Sequence, residues 1–200
     1  MVKYFHFHNL RTGDNFDKEL EGAQCQHNIN GRQCRNRCLI GISTCWIHLL
    51  SNYKLRIKQS TIPNAGKGLF ALVKNTLEND TRIVFEIGDC ICEYNGEVIT
   101  SYKQIERYHG ESAPYSAKLH RQNNIQMYED AAIKRGIGSL INHSTRNDNC
   151  RMSVRRDNTI ALIATKRIRN HSEILLNYGR DYKFNVQHTR SETNYKRFSI

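Results

Sequence analysis

Long hydrophobic runs are missing from this sequence, and none approaches the roughly 20 apolar residues needed to cross a bilayer. Its first ten residues, MVKYFHFHNL, also lack the apolar stretch of a secretory signal peptide. We therefore expect an intracellular protein, either cytoplasmic or nuclear. Because that compartment is reducing, the seven cysteines are expected to form a metal site or remain thiols, not to form disulfides.

Linker sequence is scarce as well. The chain has only two prolines, no Ser/Gly-rich linker, no internal repeat and no low-complexity tract. Its 200 residues suit one domain of ordinary size with a small appendage. A hydrophobic content of 38% and an aromatic content of 9% indicate a folded chain and exclude a fully disordered one.

Blocks of five or more like charges are also absent, so the sequence has no dedicated basic arm. Lys and Arg nevertheless outnumber Asp and Glu by 30 to 19, which gives a net charge of +11. A field of this sign attracts nucleic acid or an acidic protein surface. The alternative is that the charge serves only solubility, and composition does not decide between the two.

The composition changes near residue 50, after which short apolar runs alternate with turn residues. Most runs are four to eight residues long and rich in Ile, Val, Tyr or Thr, which predicts strands. They read LRIKQS, GLFALV, IVFEIGDCICEY, GEVIT, YSAKLH, IQMYED, RMSVRR, TIALIAT and EILLNY. One segment, SYKQIERYHG, predicts a helix that Gly110 closes. The predicted fold class is therefore mostly β with minor α.

Before residue 50, cysteine and histidine are crowded together in the stretch CQHNINGRQCRNRCLIGISTCWIH. Three thiols and one imidazole, Cys25, Cys34, Cys45 and His48, have the donor types of a tetrahedral structural zinc site. Such a short stretch lacks the apolar residues for a core, so a metal could supply its folding energy. Four protein ligands leave no open coordination position, which favours a structural or docking role.

Two alternatives remain open for this stretch. Cys38 and His27 compete with the four residues as ligands, and the less favoured alternative to zinc is a cluster of reduced, structurally inert thiols. The stretch resembles small Cys3His treble-like zinc modules, but that pattern is loose.

We divide the chain into an N-terminal segment (1–24), a zinc-binding module (25–50), a main domain (53–184) and a C-terminal tail (185–200).

Four stretches of the main domain occur in a recognisable order: NAGKGLFA (64–71), CEYNGEVIT (92–100), GIGSLINHSTRNDNC (136–150) and EILLNYGRDY (173–182). Together they resemble the SET-domain family of protein lysine methyltransferases, over residues 55–184. The Gly136-x-Gly138 run is more similar to compact SET proteins, including viral ones. Since no cysteine follows Cys150, the zinc-binding post-SET segment of many relatives is absent.

The resemblance implies short sheets around a knot-like core, in which the INHS segment meets the cofactor and the NYG segment passes beside it. It implies S-adenosylmethionine as cofactor. Backbone of Lys67, Gly68 and Leu69 would hold its methionine portion, since glycine lets the main chain approach a ligand closely. Further cofactor contacts are implied at Asn142, His143 and Tyr178. Phe184, a further candidate for a cofactor contact, and the neighbouring Tyr182 are placed to stack on adenine or cap the site, and packing of the tail is an equal alternative.

Tyr178 corresponds to the active-site tyrosine of the family. Tyr115 is our second candidate for the wall of the lysine channel, and Tyr94 the third. Neutralising a lysine of pKa 10.4 at pH 7 costs roughly 4.6 kcal/mol. A narrow apolar channel beside a positive sulfonium lowers that pKa, because desolvation and like charge both disfavour the ammonium. Leu176 occupies the position that often sets the number of methyl groups, so that number stays open.

The resulting hypothesis is a protein-lysine N-methyltransferase that uses S-adenosylmethionine and acts on a histone tail. Histone tails are basic, so the +11 charge would engage nucleosomal or other DNA instead. The alternatives are methylation of a non-histone protein, and a non-catalytic zinc-bearing chromatin or nucleic-acid adaptor. The oligomeric state is open, and a homodimer is compatible with the sequence.

Overall fold

The computed structural model describes residues 4–9, 14–19, 24–38, 42–74, 77, 79–109, 113, 115–132 and 136–179. Gly110, Tyr182 and Phe184, for which the sequence predicts roles, lie outside these ranges. Among the described helices, none is long and apolar enough to span a membrane.

In the described part of residues 1–54, the chain forms small hairpins and one short helix. Two pairs of antiparallel strands form there, and a 3-10 helix over Trp46–His48 leads directly into the helix α1. The elements are β1 (Tyr4–Asn9), β2 (Asp14–Glu19), β3 (Asn28–Ile29), β4 (Arg32–Gln33) and α1 (Leu49–Tyr53).

The remainder of the described chain is made of short strands with one longer helix. Its strands are β5 (Leu55–Gln59), β6 (Lys67–Ala71), β7 (Ile83–Phe85), β8 (Cys90–Tyr94), β9 (Glu97–Thr100), β10 (Ser116–Lys118), β11 (Met127–Asp130), β12 (Asn142–His143), β13 (Cys150–Val154), β14 (Ile160–Ala164), β15 (Ile168–Arg169) and β16 (Leu175–Leu176). The helix is α2 (Ser101–Tyr108), and a second 3-10 helix covers Ile137–Leu140. The mostly β fold class is therefore confirmed.

A five-stranded sheet of order β12-β16-β13-β14-β8 forms the centre. Strand β14 is apolar on both faces: Ile160 and the next residue, Ala161, whose side chains point to opposite faces, are each 1% exposed, as expected for a strand covered on both faces. Smaller sheets surround it, with the orders β10-β11-β9, β15-β7 and β5-β6. The core therefore sits between the central sheet and these smaller sheets.

Strand β16 lies between β12 and β13, although it follows both in sequence. It pairs in parallel with each of them. The loop that connects β12 to β13 closes over it, because the Ser144 amide donates to the Leu176 carbonyl at 3.0 Å and the Asn149 amide donates to the Leu175 carbonyl at 2.9 Å. The C-terminal strand thus passes between two strands joined by a single loop, the knot-like arrangement expected from the resemblance and rare among folds.

Helix α2 is anchored at both ends. Thr100 is its N-cap and accepts a hydrogen bond from the Lys103 amide at 3.2 Å, which satisfies one of the free amides of the first turn. In its last turn, the Arg107 guanidinium donates to the fully buried carboxylate of Asp130 at 2.7 Å. The helix predicted over this stretch is confirmed, and it ends on His109 in the left-handed region (φ 52°).

Candidate functional site

The convergence of Tyr178 with His143 defines the candidate site. The Tyr178 amide donates to Nδ1 of His143 at 3.0 Å, and the two rings lie 5.1 Å apart. The Tyr178 hydroxyl donates to the Ile141 carbonyl at 2.5 Å. Because His143 Nδ1 accepts a hydrogen bond, the proton of the neutral imidazole lies on Nε2. Threading of β16 therefore fixes both the position and the tautomer of this histidine.

The glycine turn, which comprises Gly66, Lys67 and Gly68 at the start of β6, lies against β12, the strand that carries His143. Gly66 adopts a φ of +70°, a conformation that glycine adopts without a Cβ penalty. Asn142 donates through Nδ2 to the Lys67 carbonyl at 3.0 Å. A Cβ on Gly68 would lie 3.2 Å from Asn142 Nδ2 and directly against the Glu173 carboxylate. The Glu173 carboxylate therefore packs against the main chain of this turn only because position 68 has no side chain.

A buried carboxylate links these segments. Glu173 is only 6% exposed. It accepts hydrogen bonds from Ser60 Oγ at 2.7 Å, from the Thr61 amide at 2.7 Å and its hydroxyl at 2.5 Å, and from Asn142 Nδ2 at 3.1 Å. Four donors compensate the cost of burying the charge. Glu173 thereby ties the end of β5, the glycine turn and β12 into one unit.

The chain from Ser172 to Ile174 runs alongside β6. The Ala71 amide donates to the Ser172 carbonyl at 2.9 Å, and the Ile174 amide donates to the Leu69 carbonyl at 2.8 Å. Leu69 itself is completely buried. One continuous segment therefore contacts the glycine turn first, then inserts between β12 and β13, and ends at Tyr178.

Three tyrosines are neighbours in the core, and one of them, Tyr178, lies beside His143. The Tyr94 hydroxyl donates to the Tyr115 carbonyl at 2.7 Å, and Tyr115 and Tyr178 pack against the main core. Burial first, then the neighbouring Tyr178 hydroxyl and Asp130 carboxylate, raise the pKa of Tyr94, so its phenol stays protonated at neutral pH. The structure thus brings together the three tyrosines that the sequence nominates for a channel wall.

The four candidate metal ligands also come together. The donor atoms of Cys25, Cys34, Cys45 and His48 all lie within 4.8 Å of one another. His48 Nδ1 is 3.6 Å from the Cys25 sulfur and 3.4 Å from the Cys45 sulfur, and the Cys34 and Cys45 sulfurs are 4.0 Å apart. Tetrahedral zinc with ordinary bond lengths has edges of about 3.6 Å between sulfur and nitrogen and about 3.8 Å between sulfurs. The residues therefore fit zinc.

The two competing ligands sit beside this cluster but do not belong to the four-donor set. Cys38 is buried against the other cysteines, and the His27 ring stacks on the His48 ring at 3.9 Å. Burial, and then the neighbouring His27, lower the pKa of His48. A lowered pKa keeps His48 neutral at pH 7, the form in which imidazole binds metals.

Comparison with known protein families identifies the domain to which this fold belongs. The SET domain family matches residues 81–179. The chain contains a SET domain. No curated protein matches it in sequence.

Solved structures share this SET fold over about two thirds of the chain. A ctPRC2 structure in an autoinhibited conformation bound to S-adenosylmethionine matches with a TM-score of 0.50 and 25% identity, over 65% of this chain and 16% of that chain. The crystal structure of the Chaetomium thermophilum polycomb repressive complex 2 matches with a TM-score of 0.51 and 24% identity, over 65% and 16%. The methyltransferase domain of human PR domain-containing protein 2 matches with a TM-score of 0.50 and 16% identity, over 69% and 87%.

Sequence reasoning missed one part of this SET domain, namely the carboxylate of Glu173 and its donors Ser60 and Thr61. The available signal was an acidic residue at the head of the apolar run EILLNY, because a carboxylate beside a buried strand needs hydrogen-bond donors. The donors are 112 and 113 positions away in sequence, and no local pattern identifies them.

Proposed function

We propose that this SET domain is a protein-lysine N-methyltransferase that uses S-adenosylmethionine. The observation that carries the proposal is the meeting of His143 and Tyr178 beside the glycine turn, through the parallel pairing of β12 with β16. The S-adenosylmethionine-bound ctPRC2 structure supports the choice of cofactor.

The residues at the turn fit this cofactor. Backbone of Lys67, Gly68 and Leu69 would hold the methionine portion, with Asn142 and His143 contacting its amino group and the adenine. The space where a Cβ of Gly68 would lie is filled by the Glu173 carboxylate, so the missing side chain brings that carboxylate against the main chain of the turn. The buried Glu173 carboxylate beside Gly68 suits a ligand that carries a positive sulfonium and a positive ammonium group. Phe184, beyond the described residues, is the proposed adenine cover.

When bound, S-adenosylmethionine supplies a methyl group whose bond to sulfur breaks, with its electron pair leaving on sulfur, as the lysine nitrogen forms the new bond. The chain's own contribution is to hold the lysine in line and to exclude water. Tyr178, Tyr115 and Tyr94 would form an aromatic wall, which would disfavour the ammonium form of the substrate by desolvation. Alignment then supplies much of the rate advantage. The proton leaves lysine for solvent, and no carboxylate is assigned as a base.

The proposed substrate is a lysine in a histone tail, as the resemblance implies. The net charge of +11 does not favour a basic tail by itself, but it favours contact with the DNA of a nucleosome. The same charge favours the rival function, a zinc-bearing chromatin or nucleic-acid adaptor. A non-histone protein substrate shares the whole mechanism.

Incubating the full chain with methyl-labelled S-adenosylmethionine and either core histones or nucleosomes tests the proposal. We expect labelled methyl-lysine in the digested product. The Tyr178→Phe variant should lower kcat on the order of a hundredfold, because the hydroxyl that fixes the ring on Ile141 is lost. Tyr102→Phe, on a residue that is 72% exposed, is the matched control and should leave the rate unchanged. Cofactor binding without transfer to any protein would favour the adaptor instead.

We also propose that Cys25, Cys34, Cys45 and His48 bind one structural zinc ion. The match of their donor separations to tetrahedral edges supports this, as does the occupation of all four positions by protein. Elemental analysis of the purified chain should find one zinc per molecule. Cys34→Ser should lose the metal, whereas Cys38→Ser should retain it. The reverse result would show that Cys38, and not Cys34, is the fourth ligand.

A further inference from the structure

The Cys3His cluster and the SET domain share one short segment without a linker. His48 of the cluster is followed at once by α1, whose first residue, Leu49, is 1% exposed and belongs to the main core. Helix α1 ends on Lys54 in the left-handed region (φ 54°), and the buried Leu55 begins β5. A displacement of the cluster therefore displaces α1 and the start of β5.

Two further contacts hold α1 against the cluster. The Tyr53 hydroxyl lies 3.1 Å from the Ser43 amide and 3.2 Å from its hydroxyl. Nδ1 of His27, whose ring stacks on His48, lies 3.2 Å from Asn52 Oδ1. Two separate loops of the Cys3His module, one on each side of Cys34, thus contact consecutive residues of one helix.

From α1 the connection continues to the glycine turn. The Leu72 amide donates to the Lys54 carbonyl at 2.9 Å, which sets where β6 ends. Strands β5 and β6 then pair in register, with Gln59 opposite Lys67. Ser60, the next residue, holds the Glu173 carboxylate. The position of α1 is therefore transmitted along a rigid hairpin to the proposed cofactor turn.

Among the described residues of 25–48, no aliphatic side chain is fully buried, and the partly buried Ile42 packs against the main core of the SET domain. The module's own buried cluster consists of cysteines, with Cys34 packed against Cys25, Cys38 and Cys45. Ile29 and Ile47 are 53% and 52% exposed. A segment that buries so little apolar surface needs another source of folding free energy, and a bound metal supplies one.

We propose that the metal in the Cys3His cluster fixes α1 and thereby places the β5–β6 hairpin, so that cofactor affinity depends on a metal ion outside the cofactor site. That the metal is zinc and the cofactor S-adenosylmethionine rests on the proposed function. The proposed dependence of the β5–β6 hairpin on the metal cluster does not rest on it, because that dependence concerns only whether the hairpin is structured.

The experiment uses the full chain before and after zinc removal by a chelator, with hydrogen exchange and calorimetric titration of S-adenosylmethionine. Zinc removal should abolish amide protection in α1, β5 and β6 and leave protection in β13 and β14. Cofactor affinity should fall on the order of tenfold, the loss expected if only about a tenth of the molecules keep the turn in place. Added zinc should restore both. Cys34→Ser should behave like the zinc-free protein, and the exposed Cys90→Ser like the wild type.

Each remaining outcome decides a different claim. If protection is lost only before residue 49, or if the zinc-free chain keeps its cofactor affinity, the coupling is wrong although zinc binding stands. A chain that binds zinc but no S-adenosylmethionine contradicts the proposed activity, whereas zinc-dependent protection of β5 and β6 would still support the coupling. A purified chain without zinc overturns the coupling together with the metal site.

Discussion

At the scale of single residues, Glu173 organises the candidate site more than any residue the sequence nominates. Its carboxylate receives four hydrogen bonds while being almost fully buried. It contacts Asn142 and lies where a side chain at Gly68 would be. We assign it a positioning role, because it orients the groups proposed to bind cofactor without being proposed to touch the reacting atoms.

Replacing Glu173 with Gln should destabilise the fold by about 1–3 kcal/mol, since an amide N–H₂ cannot accept hydrogen bonds from the donors that now surround it. It should also raise the KM for S-adenosylmethionine more than the KM for the protein substrate. Urea unfolding and steady-state kinetics measure the two effects. Glu106→Gln is the control, because the Glu106 side chain is 70% exposed and pairs with Lys103 at the surface. Equal changes in both KM values would contradict the positioning role.

The predicted site residues differ in how well the sequence could locate them. Asn142, His143 and Tyr178 lie in compact motifs, and a motif carries its own local geometry. The partners that orient them are remote in sequence, such as the Lys67 carbonyl that accepts from Asn142. Contacts at that separation depend on tertiary packing, which periodicity and turn residues do not encode.

At the scale of elements, apolar runs predicted the strands well because each alternates or is buried over four to eight residues. The long run IVFEIGDCICEY divides into β7 and β8 at a turn where Gly88 has a φ of +94°. Helix α1 and the β3–β4 hairpin were not predicted. They span five residues and two residues per strand, too short for a period to appear, and their order depends on the neighbouring cluster and core.

The glycine turn offers a test at this scale. Gly68→Ala should cost about 1–3 kcal/mol of unfolding free energy, because the new Cβ meets the Glu173 carboxylate, which four hydrogen bonds hold in place. Gly66→Ala should cost about 1–2 kcal/mol for a different reason, its φ of +70° with no atom within 4 Å. The two costs are separated by repeating both substitutions in a Glu173→Ala background.

In that background, the cost of Gly68→Ala should fall because the obstructing carboxylate is gone. The cost of Gly66→Ala should stay the same. Urea unfolding of the wild type, the three single variants and the two double variants gives the coupling free energy of each glycine substitution with Glu173→Ala. If Gly68→Ala is equally costly with and without Glu173, the close packing of these two residues does not hold the turn.

At the scale of the whole molecule, the arrangement that matters is one C-terminal segment crossing three others. Between Ser172 and Tyr178 it contacts β6, β12 and β13 in turn. This is why residues from the first and last thirds of the SET domain meet at one place. The sequence indicated such a crossing only through its family resemblance, because parallel pairing between distant strands leaves no local signal.

The central claim, that these segments form one S-adenosylmethionine site, is tested most directly by calorimetric titration of the full chain with that cofactor. We predict one molecule bound per chain, with affinity weakened about tenfold in Asn142→Ala, which loses its bonds to Lys67 and Glu173. The exposed Gln122→Ala should bind like the wild type. A wild-type chain that binds no cofactor, or an Asn142→Ala variant that binds as tightly as the wild type, would contradict the account.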